Sequence, residues 1–217
     1  MMKISDQRFV DYLNALFPDP KCALDFSSPF ECLVAVMLSA QTTDASVNKV
    51  TPQLFSRYPD AFALAKASQG EIEECIHSIG LYHAKAKNLL GLSKALVERH
   101  NGEVPSDKAA LRGLPGVGVK TANVVGALCF GIPAIAVDTH VARVSKRLGY
   151  ASEDDEPVEI EAKLEKRFPE EIHIKLHHQM IHFGRLICHA QHPECQNCGL
   201  TERCRYFKKS SKKGKKS

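Results

Sequence analysis

The sequence lacks the two features that place a protein in or across a membrane. It has no apolar run long enough to span a bilayer, and its N-terminus shows no signal-peptide pattern. It also lacks stretches that alternate as a strand would for more than a few positions, and it has no internal repeat beyond helix–turn–helix units. We therefore expect a soluble, cytoplasmic, all-α protein. No feature demands an oligomer, so a monomer is expected.

Charge is nearly balanced outside one short segment. Residues 208–217 carry six Lys and no acid, and the rest of the chain holds 23 basic against 25 acidic residues. Low hydrophobicity and like charge predict that 208–217 is a disordered basic tail. Its expected effect is nonspecific attraction to polyphosphate, with a solubilising terminus as the alternative. The 217 residues, 44% of them apolar, suffice for one large or two small domains with a true core.

Apolar residues recur at helical spacing along most of the chain. Ser28 predicts an N-cap before Pro29, and the S-x-x-E sequence at 68–71 predicts a capping box. The residues after Pro29 are apolar nearly all round, so their helix is expected to be central. The predicted helices cover residues 5–17, 30–41, 45–58, 69–77, 84–100, 106–112, 119–130, 139–148, 157–168 and 171–189.

The chain is organised around the stretch 114–138. Its first part, Leu114-Pro115-Gly116-Val117-Gly118, is too rich in glycine to continue a helix, whereas residues 119–130 lack proline and carry an apolar stripe. A tight hairpin therefore feeds a buried helix. Glycines there permit positive φ and close backbone approach, so the unpaired N–H groups of the helix start can bind a phosphate.

Two residues of this stretch are candidates for catalysis. Lys120 lies in the first turn of the helix, where the positive dipole end and partial desolvation would favour the neutral amine, the nucleophilic form. Asp138 ends an apolar run before Thr139 and is a catalytic carboxylate, a helix N-cap or both. The residues alone also fit a plain DNA-backbone hairpin with a surface lysine and a capping aspartate.

Two further loops at helix ends are candidate binding sites, one with small polar side chains and one with large apolar side chains. Residues 38–44 place small polar groups at the end of the central apolar helix, which is slightly better explained as an ordinary helix end than as a ligand site. Leu81 and Tyr82 follow Gly80. Exposed, they would form a wedge for a base stack, but by themselves they are better explained as loop residues packed into the core.

The eight cysteines form two groups. Four are scattered in apolar stretches and are expected to be buried thiols of a reduced compartment. The other four lie within seventeen residues with the spacing C-x6-C-x2-C-x5-C, which implies all-cysteine ligation of either zinc or an iron–sulfur cluster. Basic residues around them are expected to face a phosphate backbone. The four cysteines are Cys188, Cys195, Cys198 and Cys204, and the basic residues are Arg185, Arg203, Arg205, Lys208 and Lys209.

Together these motifs closely resemble endonuclease III, the bifunctional DNA glycosylase and AP lyase family of the helix-hairpin-helix superfamily. The agreement in order and spacing runs over nearly the whole chain, and only the basic tail lies outside it. It is carried by SSPFECLVAVMLSAQTTD (27–44), IGLYHAKAKN (79–88), HNGEVP (100–105), LPGVGVKTANVV (114–125), IAVDTHVARV (135–144) and the cysteine motif.

The resemblance implies a two-domain helix-hairpin-helix DNA glycosylase fold with double-stranded DNA bound across the groove between the domains. Residues 22–132 would form a six-helix barrel, and 1–21 with 133–207 a domain holding a [4Fe–4S] cluster on the four cysteines. Lys120 would be the nucleophile and Asp138 the catalytic carboxylate. The implied DNA-binding residues are Gln41, Leu81, Leu114, Pro115, Gly116, Val117, Gly118, His140 and Arg143.

The implied reaction is removal of oxidised pyrimidines, such as thymine glycol, followed by strand cleavage at the abasic site through a lysine Schiff base. The alternatives are a monofunctional mismatch glycosylase of the same superfamily and a noncatalytic DNA-binding or redox-sensing module. Three residues depart from the usual family pattern, namely Val119 in the hairpin and Thr43 and His83 near the expected pocket and wedge. They are expected to tune substrate choice.

Overall fold

The structure is a computed structural model that describes residues 2–213, and throughout this range the chain contains helices and no strand. The all-α prediction is therefore confirmed. None of these helices is long and apolar enough to cross a membrane. In chain order they are α1 (Ile4–Leu16), α2 (Pro29–Leu38), α3 (Asp44–Arg57), α4 (Ala61–Ala65), α5 (Gln69–Ile76), α6 (Tyr82–His100), α7 (Lys108–Arg112), α8 (Val119–Phe130), α9 (Thr139–Leu148), α10 (Pro157–Arg167), α11 (His173–Leu186) and α12 (Arg205–Lys213).

Side-chain caps explain why several helices begin where the sequence predicts. The Ser28 hydroxyl accepts a hydrogen bond from the Glu31 amide at 3.2 Å, with proline at the first position of α2. At α5, Ser68 and Glu71 form the complete capping box, because each side chain accepts from the other's backbone N–H. Each cap satisfies amides that have no partner inside the helix.

Several helices differ from the prediction, α2, α11 and α4 among them. The central helix α2 ends at Leu38 rather than at residue 41, since the chain turns there, and α11 covers only His173–Leu186 of the predicted 171–189. The five-residue α4 was not predicted because so short a segment shows no clear periodicity. Its start is fixed by Asp60, whose carboxylate accepts from the Ala63 amide at 2.7 Å.

The chain divides into two compact units. One consists of Cys22–Ile132, and the other of Met1–Lys21 together with Pro133–Ser217. In the first unit α2 is the central element, buried along its length except at Pro29 and Glu31, and it packs on α3, α6 and α8. A helix that is apolar all round must be covered on every side, which agrees with this position.

The second unit encloses a buried charge. Asp6 of α1 is 1% exposed and accepts two hydrogen bonds from the Arg167 guanidinium, at 2.9 and 3.0 Å. Arg203 lies 3.6 Å from the same carboxylate, and both arginines stack over the ring of Tyr150. This network joins α1, α10 and the segment before α12 within one core.

The C-terminal segment differs from its prediction. Disorder was expected over 208–217, but α12 extends to Lys213, so the expectation is wrong over 208–213. The remaining residues of the tail lie outside those that the structure describes. The helix is anchored at its start: the Tyr206 ring lies 4.1 Å from the Arg147 guanidinium, and half-buried Phe207 packs against the core of the unit. These aromatic contacts offset the like charge that predicted disorder.

We predict that Asp6→Ala lowers the free energy of unfolding by about 3 kcal/mol, because it leaves the Arg167 guanidinium without its carboxylate. Urea unfolding measures the change. Asp11→Ala is the matched control, since Asp11 lies exposed on the same helix and accepts a local hydrogen bond from Gln7. A loss no larger than that of the control would contradict the structural role of the network.

Candidate functional site

The hairpin between α7 and α8 is held by two buried apolar residues. Leu114 and Val117 lie in the core, and the Val117 amide donates to the Leu114 carbonyl at 3.1 Å. Between them Gly116 has φ +77°, and a Cβ there would meet the Met37 methyl at 2.7 Å and Asn88 Cβ at 3.1 Å. Backbone conformation and close packing therefore both require glycine at position 116.

The hairpin leaves the start of α8 open. Gly118 is the N-cap residue and has no side chain to cap the helix. The first hydrogen bond of α8 runs from the Ala122 amide to the Gly118 carbonyl at 3.0 Å, so the amides of residues 119–121 have no acceptor inside the helix. A Cβ at Gly118 would meet nothing within 4 Å. The space beside Gly118 is therefore open, and phosphate binding by the start of α8 stays a prediction.

The two candidate catalytic residues lie at the starts of two helices, one in each unit. Lys120 is exposed in the first turn of α8, so the chain by itself does not supply the partial burial expected for it. Asp138 is half-buried and caps α9, accepting a 2.7 Å hydrogen bond from the Val141 amide. The N-cap interpretation of Asp138 is confirmed, and its catalytic role stays a prediction.

Gln41 and Leu81 both have left-handed backbone. Gln41 has φ 55° in the turn after α2, and Leu81 has φ 61° at the N-cap of α6. This conformation is unfavourable for residues with a Cβ, and a bulky residue such as leucine rarely adopts it. Leu81 is also 57% exposed, so the expectation that it packs into the core is wrong, whereas Tyr82 does pack against the core.

A buried lysine connects the loops that carry these two residues. Lys85 of α6 is 7% exposed, and its ammonium donates a 2.5 Å hydrogen bond to the Thr42 hydroxyl. Burial lowers the pKa of Lys85. The sequence analysis missed this pair, since nothing in the local pattern separates Lys85 from the exposed lysine at 87.

Arg143 makes its hydrogen bonds within its own unit. Its guanidinium donates to the carbonyls of Gly184 at 2.7 Å and Cys188 at 2.9 Å, which ties α9 to the end of α11. His140 packs beside it, and a Cβ at Gly184 would meet His140 Cβ at 2.8 Å. Burial lowers the pKa of both His140 and Arg143. These contacts position Arg143, and DNA contact by either residue stays a prediction.

The four cysteines of the C-terminal motif line one cavity. Cys188 Sγ accepts from the Arg147 guanidinium at 3.3 Å, and Cys204 Sγ from the Phe207 amide at 3.4 Å. Burial, with a further contribution from the neighbouring thiols, raises the pKa of Cys195 and Cys198. Within residues 2–213, no three His, Cys, Asp or Glu side chains form a group that holds a single metal ion.

Arg147 holds the cysteine-containing loop in place. It is almost fully buried and donates to the carbonyls of His189 at 2.7 Å and Ala190 at 3.0 Å, besides its contact with the Cys188 sulfur. The sequence analysis missed it, because it lies forty positions before the loop. Arg203, expected to face phosphate, instead donates to the Ser5 carbonyl at 2.7 Å.

Comparison with known proteins identifies the chain. Residues 34–170 match the family described as HhH-GPD superfamily base excision DNA repair protein. Endonuclease III of Bacillus subtilis (strain 168) is 49% identical over 205 residues, covering 94% of each chain. Endonuclease III of Escherichia coli (strain K12) is 46% identical over 192 residues, covering 88% of this chain and 90% of that one. The chain belongs to the endonuclease III family. It is thereby a bifunctional DNA glycosylase and AP lyase of base-excision repair.

Solved structures agree with this membership. A structure described as a trapped endonuclease III–DNA covalent intermediate, an estranged-adenine complex, matches with a TM-score of 0.92 at 49% identity, covering 97% of this chain and 100% of that one. A thermostable thymine-DNA glycosylase matches with a TM-score of 0.85 at 26% identity, covering 94% and 97%. The helix-hairpin-helix glycosylase fold expected from the sequence is confirmed.

Two of the three residues that depart from the usual family pattern have structural partners. Thr43 caps α3, accepting from the Ser46 amide at 3.2 Å. His83 lies 2.9 Å from the Glu73 carboxylate. Val119 begins α8 half-buried. Their influence on substrate choice stays a prediction.

We predict that Leu81→Gly leaves the free energy of unfolding unchanged or raises it by about 1 kcal/mol, because glycine adopts positive φ without the steric cost of a Cβ. Thermal unfolding measures this. For comparison, Leu89→Gly removes a fully buried side chain from the same helix and should destabilise strongly. Marked destabilisation by Leu81→Gly would show that the side chain is needed for folding.

Proposed function

We propose that the chain removes oxidised pyrimidines, thymine glycol among them, from double-stranded DNA and then cleaves the abasic strand by β-elimination. The observation that carries the proposal is the exposed Lys120 amine in the first turn of a helix whose amides are uncapped and open. A related endonuclease III has been trapped as a covalent intermediate with DNA. A cytoplasmic, nucleoid-associated location follows from this substrate and stays a prediction.

In the proposed reaction, the neutral Lys120 amine attacks C1′ of the damaged nucleotide, and the bond from C1′ to the base breaks. The base leaves with the bonding electron pair and takes up a proton. Asp138 stabilises the positive charge that develops at C1′. Because Lys120 is exposed in the chain alone, bound DNA must exclude water from it.

Strand cleavage follows from the same covalent bond. Loss of a proton from the lysine-linked sugar and opening of its ring give a Schiff base between Lys120 and C1′. Removal of a C2′ proton, assisted by Asp138, then lets the C3′–oxygen bond break. The phosphate leaves with the bonding electrons, and the strand is nicked 3′ to the lesion.

DNA is held by groups that carry little sequence information. The hairpin of 114–118 and the amides that begin α8 bind a backbone phosphate. Gln41 and Leu81, exposed at two loop tips, fill the gap left by the extruded nucleotide. His140 and Arg143 are the proposed DNA contacts from the other unit, and the hydrogen bonds of Arg143 to the Gly184 and Cys188 carbonyls fix its position. The lysines of α12 add nonspecific attraction.

The cysteine cavity fits a [4Fe–4S] cluster ligated by the four thiolates. The fit rests on four thiols bordering one cavity and on two N–H groups that already donate to sulfur, those of Arg147 and Phe207. The cluster would hold the loop of 188–204 and takes part in no step of the reaction. On this proposal residues 1–21 and 133–207 form the cluster domain, and residues 22–132, which contain the seven helices α2 to α8, form the domain expected as a six-helix barrel.

We predict that borohydride traps a covalent adduct between the wild-type protein and duplex DNA containing one thymine glycol, and that Lys120→Gln abolishes both the adduct and the nick. Gel electrophoresis measures both products. Lys87→Gln, which removes another exposed lysine of the same unit, should retain them. Base release without an adduct would indicate a monofunctional glycosylase, and binding without either product a noncatalytic module.

We predict that Cys198→Ser lowers iron bound per protein and raises the Kd for undamaged duplex DNA, because an incomplete ligand set releases the loop. Iron analysis and the absorption of the cluster are the measurements. Cys22→Ser, in the other unit, serves as the control and should keep full iron content. Full iron in the Cys198 variant would contradict the ligand assignment.

A further inference from the structure

We propose that Lys85 and Thr42 form a clasp that holds Gln41 and Leu81 together in their left-handed conformations, so that both side chains enter the DNA gap in register. The inference rests on the proposed function. It adds two positioning residues to a pair of DNA contacts whose own side chains are exposed. All four residues belong to the unit Cys22–Ile132.

The first half of the clasp is the start of α6. Leu81 is the N-cap residue, and its carbonyl accepts from the Lys85 amide at 3.0 Å, one turn later. The Lys85 backbone thus fixes the peptide that follows Leu81. The N-cap has no side-chain hydrogen bond of its own, and this backbone contact links the left-handed residue to Lys85.

The second half encloses Gln41. The Thr42 amide donates to the Ser39 carbonyl at 3.1 Å, and the Thr42 hydroxyl donates to the Ala40 carbonyl at 3.4 Å. Both acceptors precede Gln41, so Thr42 closes the turn around it. With its proton directed at Ala40, the hydroxyl presents a lone pair to Lys85, whose ammonium donates to it at 2.5 Å.

Burial is what gives this hydrogen bond its importance. A lysine side chain with 7% exposure exchanges nearly all its contact with water for contacts in the protein, and a threonine hydroxyl is a neutral partner. Removing the hydroxyl would leave a buried ammonium without that acceptor, and the side chain would withdraw toward solvent. The Gln41 turn and the start of α6 would then move independently.

Positive φ in both loops supports a positioning role. A left-handed leucine or glutamine reverts to ordinary backbone unless its surroundings prevent it, and exposed side chains offer few contacts of their own. Without the clasp, each loop would sample other conformations, and few protein molecules would present both side chains at once. Insertion into DNA would then have to order both loops, which makes the free energy of insertion less favourable. The clasp orders them before DNA binds.

The test compares Thr42→Val, which removes the hydroxyl at nearly constant volume, with Thr42→Ser, which keeps it. Thr42→Val and Lys85→Met should each lower the single-turnover rate on thymine glycol duplex about tenfold. The double variant should be no slower than the slower single variant, because the two residues act as one unit. Thr42→Ser should recover the rate to within about twofold of wild type.

A second readout separates positioning from general stability. With 2-aminopurine opposite the lesion, insertion of the two side chains unstacks the probe and raises its fluorescence in the bound complex. The rise should be reduced in Thr42→Val and restored in Thr42→Ser, at protein concentrations that saturate binding. Lys94→Met, an exposed lysine on the same helix, should change neither rate nor fluorescence.

The outcomes are distinguishable. If the wild type neither nicks the lesion strand nor forms the adduct, the proposed function fails. If the wild type is active and Thr42→Val matches it in rate and fluorescence, the clasp alone is overturned. A variant that loses thermal stability in proportion to its rate, with an unchanged fluorescence rise per bound complex, would also overturn it, since that is the behaviour of a purely structural pair.

Discussion

Burial of α2 on all its sides is the constraint on which the larger unit depends. Its side chains leave water only if helices cover every face, and α8 is one of those helices. Met37 near its end occupies the space that a Cβ at Gly116 would need, so the hairpin folds directly against it. The same end leads into the turn with Gln41. One apolar helix therefore orients both the hairpin proposed to bind phosphate and a loop proposed to enter DNA.

Buried arginines have the equivalent role in the other unit. Arg147 donates hydrogen bonds to two loop carbonyls and a cysteine sulfur. Arg143 donates to carbonyls at the end of α11. Guanidinium groups suit this work because they carry several donors in a fixed plane. Arg143, which the family resemblance assigned to DNA, thus also bonds the Cys188 carbonyl at the start of the cysteine loop. The loop and α12 are ordered by protein contacts in addition to any cluster.

Backbone strain marks the loops where function is proposed. Gln41 and Leu81 adopt conformations that residues with a Cβ avoid, and such conformations persist only where neighbours hold them. Lys85 and Thr42 are the neighbours in this unit that join the two loops. Asp138 combines roles in another way, because the carboxylate proposed for catalysis also caps α9, and the cap fixes its direction.

The sequence by itself determined the helical class, most helix starts and the identity of the hairpin, because capping residues, glycines and apolar periodicity act over a few neighbouring positions. The family motifs also determined the candidate Lys120. Tertiary structure alone decided that Leu81 is exposed, that 208–213 continue α12, and that Lys85 meets Thr42. Each of these depends on contacts between residues far apart in the chain, and local pattern carries no record of which distant side chain will be the partner.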